Sequence, residues 1–311
     1  MHHPNHARFR TSSTRLPGLP GGLRLVPLAA ILGGLCLAAL APLRALEGDA
    51  DAKRWARRAL LDETTRKHMN VEVGEVEPLT LALCAKGDFG AADEQAVVLR
   101  RDAATAVVIM RGTTPLGRCT FSTTGALVLA TRKLAGHSWV LLDETSELAG
   151  ASSTLRRLIS LCDGQLSIRQ SWVHAATVKI GKRFVREQTS DLREQSDSLL
   201  LTTRIVDRLD GKAMADCESE TVLKLTPQPD GSLRAEVDSD KPVPVAVRLR
   251  LARHLEREGL EEAALLLARE ARQQSTRLPA EDARRLDAAG LVARLEARVV
   301  PADKPVQITP R

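Results

Sequence analysis

The sequence predicts an α+β protein: an N-terminal signal or anchor helix, an antiparallel β-rich domain built as a meander, sandwich or curved sheet, and a C-terminal helical hairpin followed by a third helix. Three observations carry this. An uncharged run from Leu25 to Leu43 is fenced by Arg24 and Arg44. Residues 71–240 set short runs of Val, Leu, Ile and Thr between turn residues, mostly with no room for a helix between them. Past Pro242 and Pro244 the apolar residues recur at helical spacing. The chain is accordingly divided into 1–45 as signal peptide or anchor, 46–70 as a helix, 71–240 as the β-rich domain and 241–311 as the helical domain.

The N-terminal run has about 19 residues, within the range that spans a hydrocarbon core. Arg8, Arg10, Arg15 and Arg24 precede it with no Asp or Glu, so this flank is expected to stay in the cytoplasm while the chain beyond the run crosses the membrane. Pro27, Gly33, Gly34 and Pro42 weaken the helix, and a cut after Ala45 can be drawn. A cleaved signal peptide and a retained anchor both fit. In either case the bulk of the chain is expected outside the cytoplasm, in the periplasm or held at the inner membrane through the N-terminal segment. Arg8 and Arg10 are parted by Phe9, so the twin-arginine pair is missing.

The net charge of +6 comes largely from this segment. Setting aside the five Arg of the first 45 residues leaves 40 basic against 39 acidic groups. With no Tyr, four Phe and three Trp, the chain also lacks stacking platforms for bases, which argues against nucleic acid as a partner.

From Asp49 to Met69 there is no Pro or Gly, acids stand early, and Arg66, Lys67 and His68 stand late, which predicts one helix. Strands are predicted at 79–85, 96–100, 106–110, 126–131, 138–143, 165–170, 173–180, 183–188 and 199–206. Pro229-Asp230-Gly231 between T-V-L-K-L-T and S-L-R-A-E-V predicts a hairpin. Within 143–161 a short helix is expected to start near Ser152 or Ser153 and to carry Leu155, Leu158 and Ile159. Two helices are predicted on either side of Gly259, and a third from Pro279 to Val299.

In the first two of these helices Leu251, Ala252, Leu255, Gly259, Ala264 and Ala271 fall at the spacing of packing positions in a tetratricopeptide repeat. One copy, near 245–276, resembles that family. The resemblance implies a hairpin that offers a groove to a protein partner, with Leu251, Leu255, Gly259 and Ala264 as its candidate residues; a plain helical hairpin packed on the sheet fits the same residues.

Beyond the apolar run stand four cysteines: Cys84, Cys119, Cys162 and Cys217. An even number in an oxidising compartment permits two disulfides of undetermined pairing, and four buried thiols are the alternative. Catalytic patterns are weak. Gly112–Gly117 has the frame of a phosphate loop but continues Arg118-Cys119, and reads as a hairpin turn. Gly136-His137-Ser138 runs on into a strand rather than a helix, unlike a nucleophile elbow. His68, His137, His174 and His254 are scattered, and the pairs Asp207/Asp210, Glu218/Glu220 and Asp238/Asp240 fit solvated faces. No cofactor or metal is expected. The function expected is a bacterial cell-envelope binding or assembly protein, not an enzyme, whose ligand is a protein partner or an apolar or lipid chain; the alternative is an envelope hydrolase with a site assembled from sequence-distant residues.

Overall fold

The computed structural model describes residues 50–299 apart from 73–77, 88 and 92. The run Leu25–Leu43 and the cleavage site near Ala45 lie outside the described residues. Among the described residues no helix is long and apolar enough to cross a membrane. The described residues form an α+β structure with two antiparallel sheets and five helices.

Two helices open the described region, α1 (Ala50–Ala59) and α2 (Glu63–Met69). The single helix expected over this stretch is broken at Leu60–Asp62. Asp62 accepts a hydrogen bond from the Thr65 N–H at 2.8 Å and pairs with Arg118, so it caps a new helix rather than extending the old one. The break lets Ala52, Trp55, Ala56 and Ala59 from α1, and Met69 from α2, reach one apolar cluster.

That cluster covers one face of a four-stranded meander: β1 (Leu81–Gly87), β2 (Glu94–Arg101), β3 (Ala104–Arg111) and β4 (Thr114–Ser122). Val97, Leu99, Ala106 and Val108 face the helices, while Ala96, Val98, Val107 and Ile109 face a second sheet. Burial on both faces explains why these central strands read as unbroken apolar runs. Gly112–Gly117 is the turn and first residues of β4, as expected.

The second sheet is an eight-stranded meander of β5 (Ala126–Leu134), β6 (His137–Leu148), β7 (Ala151–Cys162), β8 (Gln165–Ile180), β9 (Phe184–Gln195), β10 (Ser198–Leu209), β11 (Lys212–Pro227) and β12 (Leu233–Lys241). The helix expected from Ser152 is strand β7 instead. Its Arg156 stands opposite Asp143 of β6 and pairs with it, Arg157, opposite Leu142, reaches diagonally to pair with Glu144, and Leu158 and Ile159 alternate between two buried faces. A cross-strand pattern of this kind outweighs local helix propensity.

The eight strands do not form one continuous surface. The β8–β9 ladder holds only from Ala175–Ile180 against Phe184–Thr189; beyond it β8 pairs with β7 alone and β9 with β10 alone. The sheet therefore forks into two leaves. Trp139, Leu141, Leu158 and Trp172 of the first leaf and Leu199, Leu201 and Leu225 of the second share one buried cluster between them. A bulge makes this work: Leu158 pairs with Gln170 and Ile159 with Ile168, so Arg169 has no partner in the register and the side-chain alternation reverses after it. Leu166 and Ile168 then pack toward the first sheet and Trp172 into the wedge. At the free edge, β12 carries Arg234, Glu236, Asp238, Asp240 and Lys241, charges that discourage edge-to-edge pairing.

The helices α3 (Val245–Arg257), α4 (Glu261–Ser275) and α5 (Ala283–Val299) pack together, with Phe184, Ile180, Leu209 and Met214 at the foot of the sheet joining their core. Gly259 makes the α3–α4 turn at φ +74°, a conformation open to glycine at little cost.

Candidate functional site

At the end of the sheet opposite the helices, four segments far apart in sequence converge. They are the loop after β1, the β5–β6 turn, the β7–β8 turn and the β11–β12 turn, and they enclose a cleft of about 310 Å³. Its walls include Phe89, Lys133, His137, Ser138, Ser160, Leu161, Cys162, Pro227 and Gly231.

Each segment is held by bonds that its own residues supply. Glu94, fully buried, accepts from the N–H groups of Phe89 at 2.8 Å and Ala91 at 3.0 Å while pairing with Arg111, which fixes the loop that presents Phe89. The indole N–H of Trp139 donates to the Leu134 carbonyl at 3.0 Å, and the Ala135 N–H donates to Glu194 at 2.6 Å. The first bond braces the β5–β6 turn, which carries Lys133 and His137, from within its own hairpin, and the second ties that turn to Glu194 at the tip of the second leaf. Asp230 accepts from the Ser232 N–H and hydroxyl, bonds that hold its carboxyl below the usual range, with Arg169 nearby adding to the effect.

Gly231 sets the floor. A Cβ placed there would stand 2.8 Å from the Cys162 Cβ, 2.9 Å from an Arg169 guanidinium nitrogen and 3.2 Å from the Cys162 Sγ, and its φ is +73°. Glycine is thus required both by conformation and by the close approach of the β11–β12 turn to the β7–β8 turn. Arg169, the bulge residue, donates from Nε to the Ser160 hydroxyl at 2.9 Å. Lys133 and His137 are exposed on the rim, and no carboxylate stands among the described lining residues. The arrangement offers positive charge, hydroxyls and an apolar wall in one concavity, suited to binding a small group that carries negative charge.

A second cluster lies at the foot. Asp207 of β10 stands opposite Arg186 of β9 and accepts from its Nε at 2.6 Å and Nη2 at 2.8 Å. Arg186 also pairs with Glu270 of α4, which in turn pairs with Arg248 of α3. Burial alone would pull the Arg186 guanidinium down, but Asp207 and Glu270 hold it charged and push it up. Beside the cluster β11 bulges, since Val206 faces Glu218 while Arg208 faces Ala213. Burial, with Asp207 adding to it, pushes the Cys217 thiol up to about 11, and Arg248 and Arg186 oppose this. The four charges answer one another, so the cluster clamps the helices to the sheet.

The residues singled out from sequence are dispersed. Cys84, Cys119, Cys162 and Cys217 stand on β1, β4, β7 and β11. Cys119, Cys162 and Cys217 carry thiols. Cys84 and Cys119 sit on the outer strands of a four-stranded sheet, about 14 Å apart at the usual strand spacing, too far for a bridge. Leu251, Leu255 and Ala264 are buried inside the helical core and Gly259 forms its turn, so contact with a partner at this hairpin falls to its exposed residues. Among the described residues no group of three or more His, Cys, Asp or Glu is placed to hold a metal. Of the cleft residues, His137 with Ser138, Cys162, and Gly231 as a turn residue stood out in the sequence; Lys133, Ser160 and Arg169 did not, because only the folded turns unite them with the rest. Compared with protein-family models, curated proteins and solved structures, the chain matches none.

Proposed function

We propose that this chain is a bacterial cell-envelope protein, exported to the periplasm or anchored at the inner membrane by its N-terminal segment, and that it works as a binding or assembly component with a protein partner. The observation that carries the binding reading is the cleft at the sheet tip, where turns on a rigid double-leaf scaffold converge on one concavity. A protein partner fits better than a lipid chain, since the space between the leaves is filled by Trp139, Trp172 and leucines.

The location is tested by fractionating cells and determining the mature N-terminus by mass spectrometry. A start near Leu46 in the periplasmic fraction supports export, an intact chain in the membrane fraction supports the anchor, and an intact chain in the cytosol overturns both. A second reading, an envelope hydrolase, draws on His137, Ser138, Ser160 and Cys162 sharing the cleft. Turnover of 4-nitrophenyl esters that His137→Ala abolishes selects it; no turnover above that of the His137→Ala protein rejects it.

A further inference from the structure

We infer that the tip cleft receives the C-terminal carboxylate of an extended peptide from a protein partner, an inference that rests on the proposed binding role and supplies its chemistry. Three features of the site bear on the ligand. The titratable side chains on its walls are Lys133, His137 and Cys162, with no carboxylate among the described lining residues; Arg169 behind the wall is already faced by Asp230, so it is Lys133 and His137 on the rim that favour an anionic head. Ser160 stands in the wall with its hydroxyl oxygen accepting from Arg169 Nε at 2.9 Å, which leaves its O–H to donate to a polar group of a peptide; an acyl chain has no use for it. Phe89, Leu161 and Pro227 supply an apolar wall for one side chain.

Size agrees with this. About 310 Å³ lies at the small end of ligand sites, room for a terminal residue or two and not for a long chain. Capture of a chain terminus by charge and backbone groups is a recurrent mode of peptide recognition. The shape is fixed before binding, since Glu94, Glu194 and the Asp230–Ser232 turn hold three of the segments, which limits the ordering cost of association.

The test is calorimetric titration of the full chain in detergent with acetyl-Ala-Leu as the free acid, the same peptide as its C-terminal amide, and octanoate. The acid is expected to bind saturably, and the amide at least roughly tenfold more weakly. Lys133→Ala with His137→Ala is expected to weaken the acid to the level of the amide, with an unchanged melting curve because both side chains are exposed. Equal binding of acid and amide, octanoate binding more tightly than the peptide, an unaffected double variant, or no saturable binding below about 5 mM overturns the proposal. The acid and amide comparison needs no variant, so it holds even if the double variant misfolds. A cytosolic location would overturn the envelope reading while leaving this titration as it stands.

Discussion

Removing the carboxylate of Asp207 would leave Arg186, 5% exposed, facing an emptied position on the neighbouring strand. Breaking one side of a buried ion pair costs more than the pair contributes, because the remaining charge stays desolvated. Asp207→Ala is therefore expected to lower unfolding stability by about 3–5 kcal/mol in urea titration; a loss too small to resolve would show that Arg186 finds full compensation in Glu270. At the same cluster, a thiol pushed to about 11 is almost entirely protonated near neutrality, and the thiolate is the reactive form. Cys217 should resist maleimide in the native protein and react once the chain is unfolded. Asp282 titrates at the other end of the scale. Hydrogen bonds from the Arg284 side chain and N–H at the start of α5 hold it at about 2, against an ordinary value of 3.8. A folded-state value that is depressed contributes stability in full above the unfolded value and loses it as pH falls through the folded one. Between pH 4 and 2 the stability of Asp282→Asn should accordingly fall less steeply than that of the parent chain, as read from melting temperature.

Among the elements, the fork between β8 and β9 is where the architecture departs from a plain meander. At the point where the ladder ends, Ser190 donates to the Val173 carbonyl at 2.7 Å and lies 3.0 Å from the Thr203 hydroxyl, while His174 Nδ1 donates to the Ser190 carbonyl at 2.7 Å. Side chains satisfy backbone groups that strand pairing no longer reaches. Ser190 is 3% exposed, so Ser190→Ala removes a buried hydroxyl and its bond to the half-buried Val173 carbonyl and should cost about 1 kcal/mol, measurable by denaturant unfolding. Most strands were legible as Val, Leu and Thr runs, and the prolines at 242 and 244 and Gly259 marked the helices, because these signals are local. The fork was not legible: a bulged Arg169 or an out-of-register His174 is a property of two strands together, and nothing in either strand alone announces it. Strand β7 was misread for a related reason, since Arg156 and Arg157 acquire meaning only beside Asp143 and Glu144. The cleft stayed hidden because its walls come from residues near 89, 133–139, 160–162 and 227–231, which only the closed leaves bring together.

At the scale of the whole molecule, Trp139 joins the core to the site. It is 1% exposed within the wedge between the leaves, and its indole N–H fixes the Leu134 carbonyl at the turn that carries Lys133 and His137. The two roles separate by substitution. Trp139→Ala removes one of the two largest side chains of the wedge and should cost about 3–5 kcal/mol through lost burial and the cavity left behind. Trp139→Phe keeps most of the apolar volume and deletes only the indole N–H, which costs about 1–3 kcal/mol when the carbonyl it served goes unsatisfied. If the tip is preorganised by the core, the Phe variant should weaken binding of the free-acid peptide more than its modest loss of stability suggests, because Lys133 and His137 then sit on a looser turn and must be ordered at each binding event. Titration calorimetry and urea unfolding on the same preparations decide it. Binding that falls only when the protein itself begins to unfold would mean that the wedge holds up the fold without shaping the cleft.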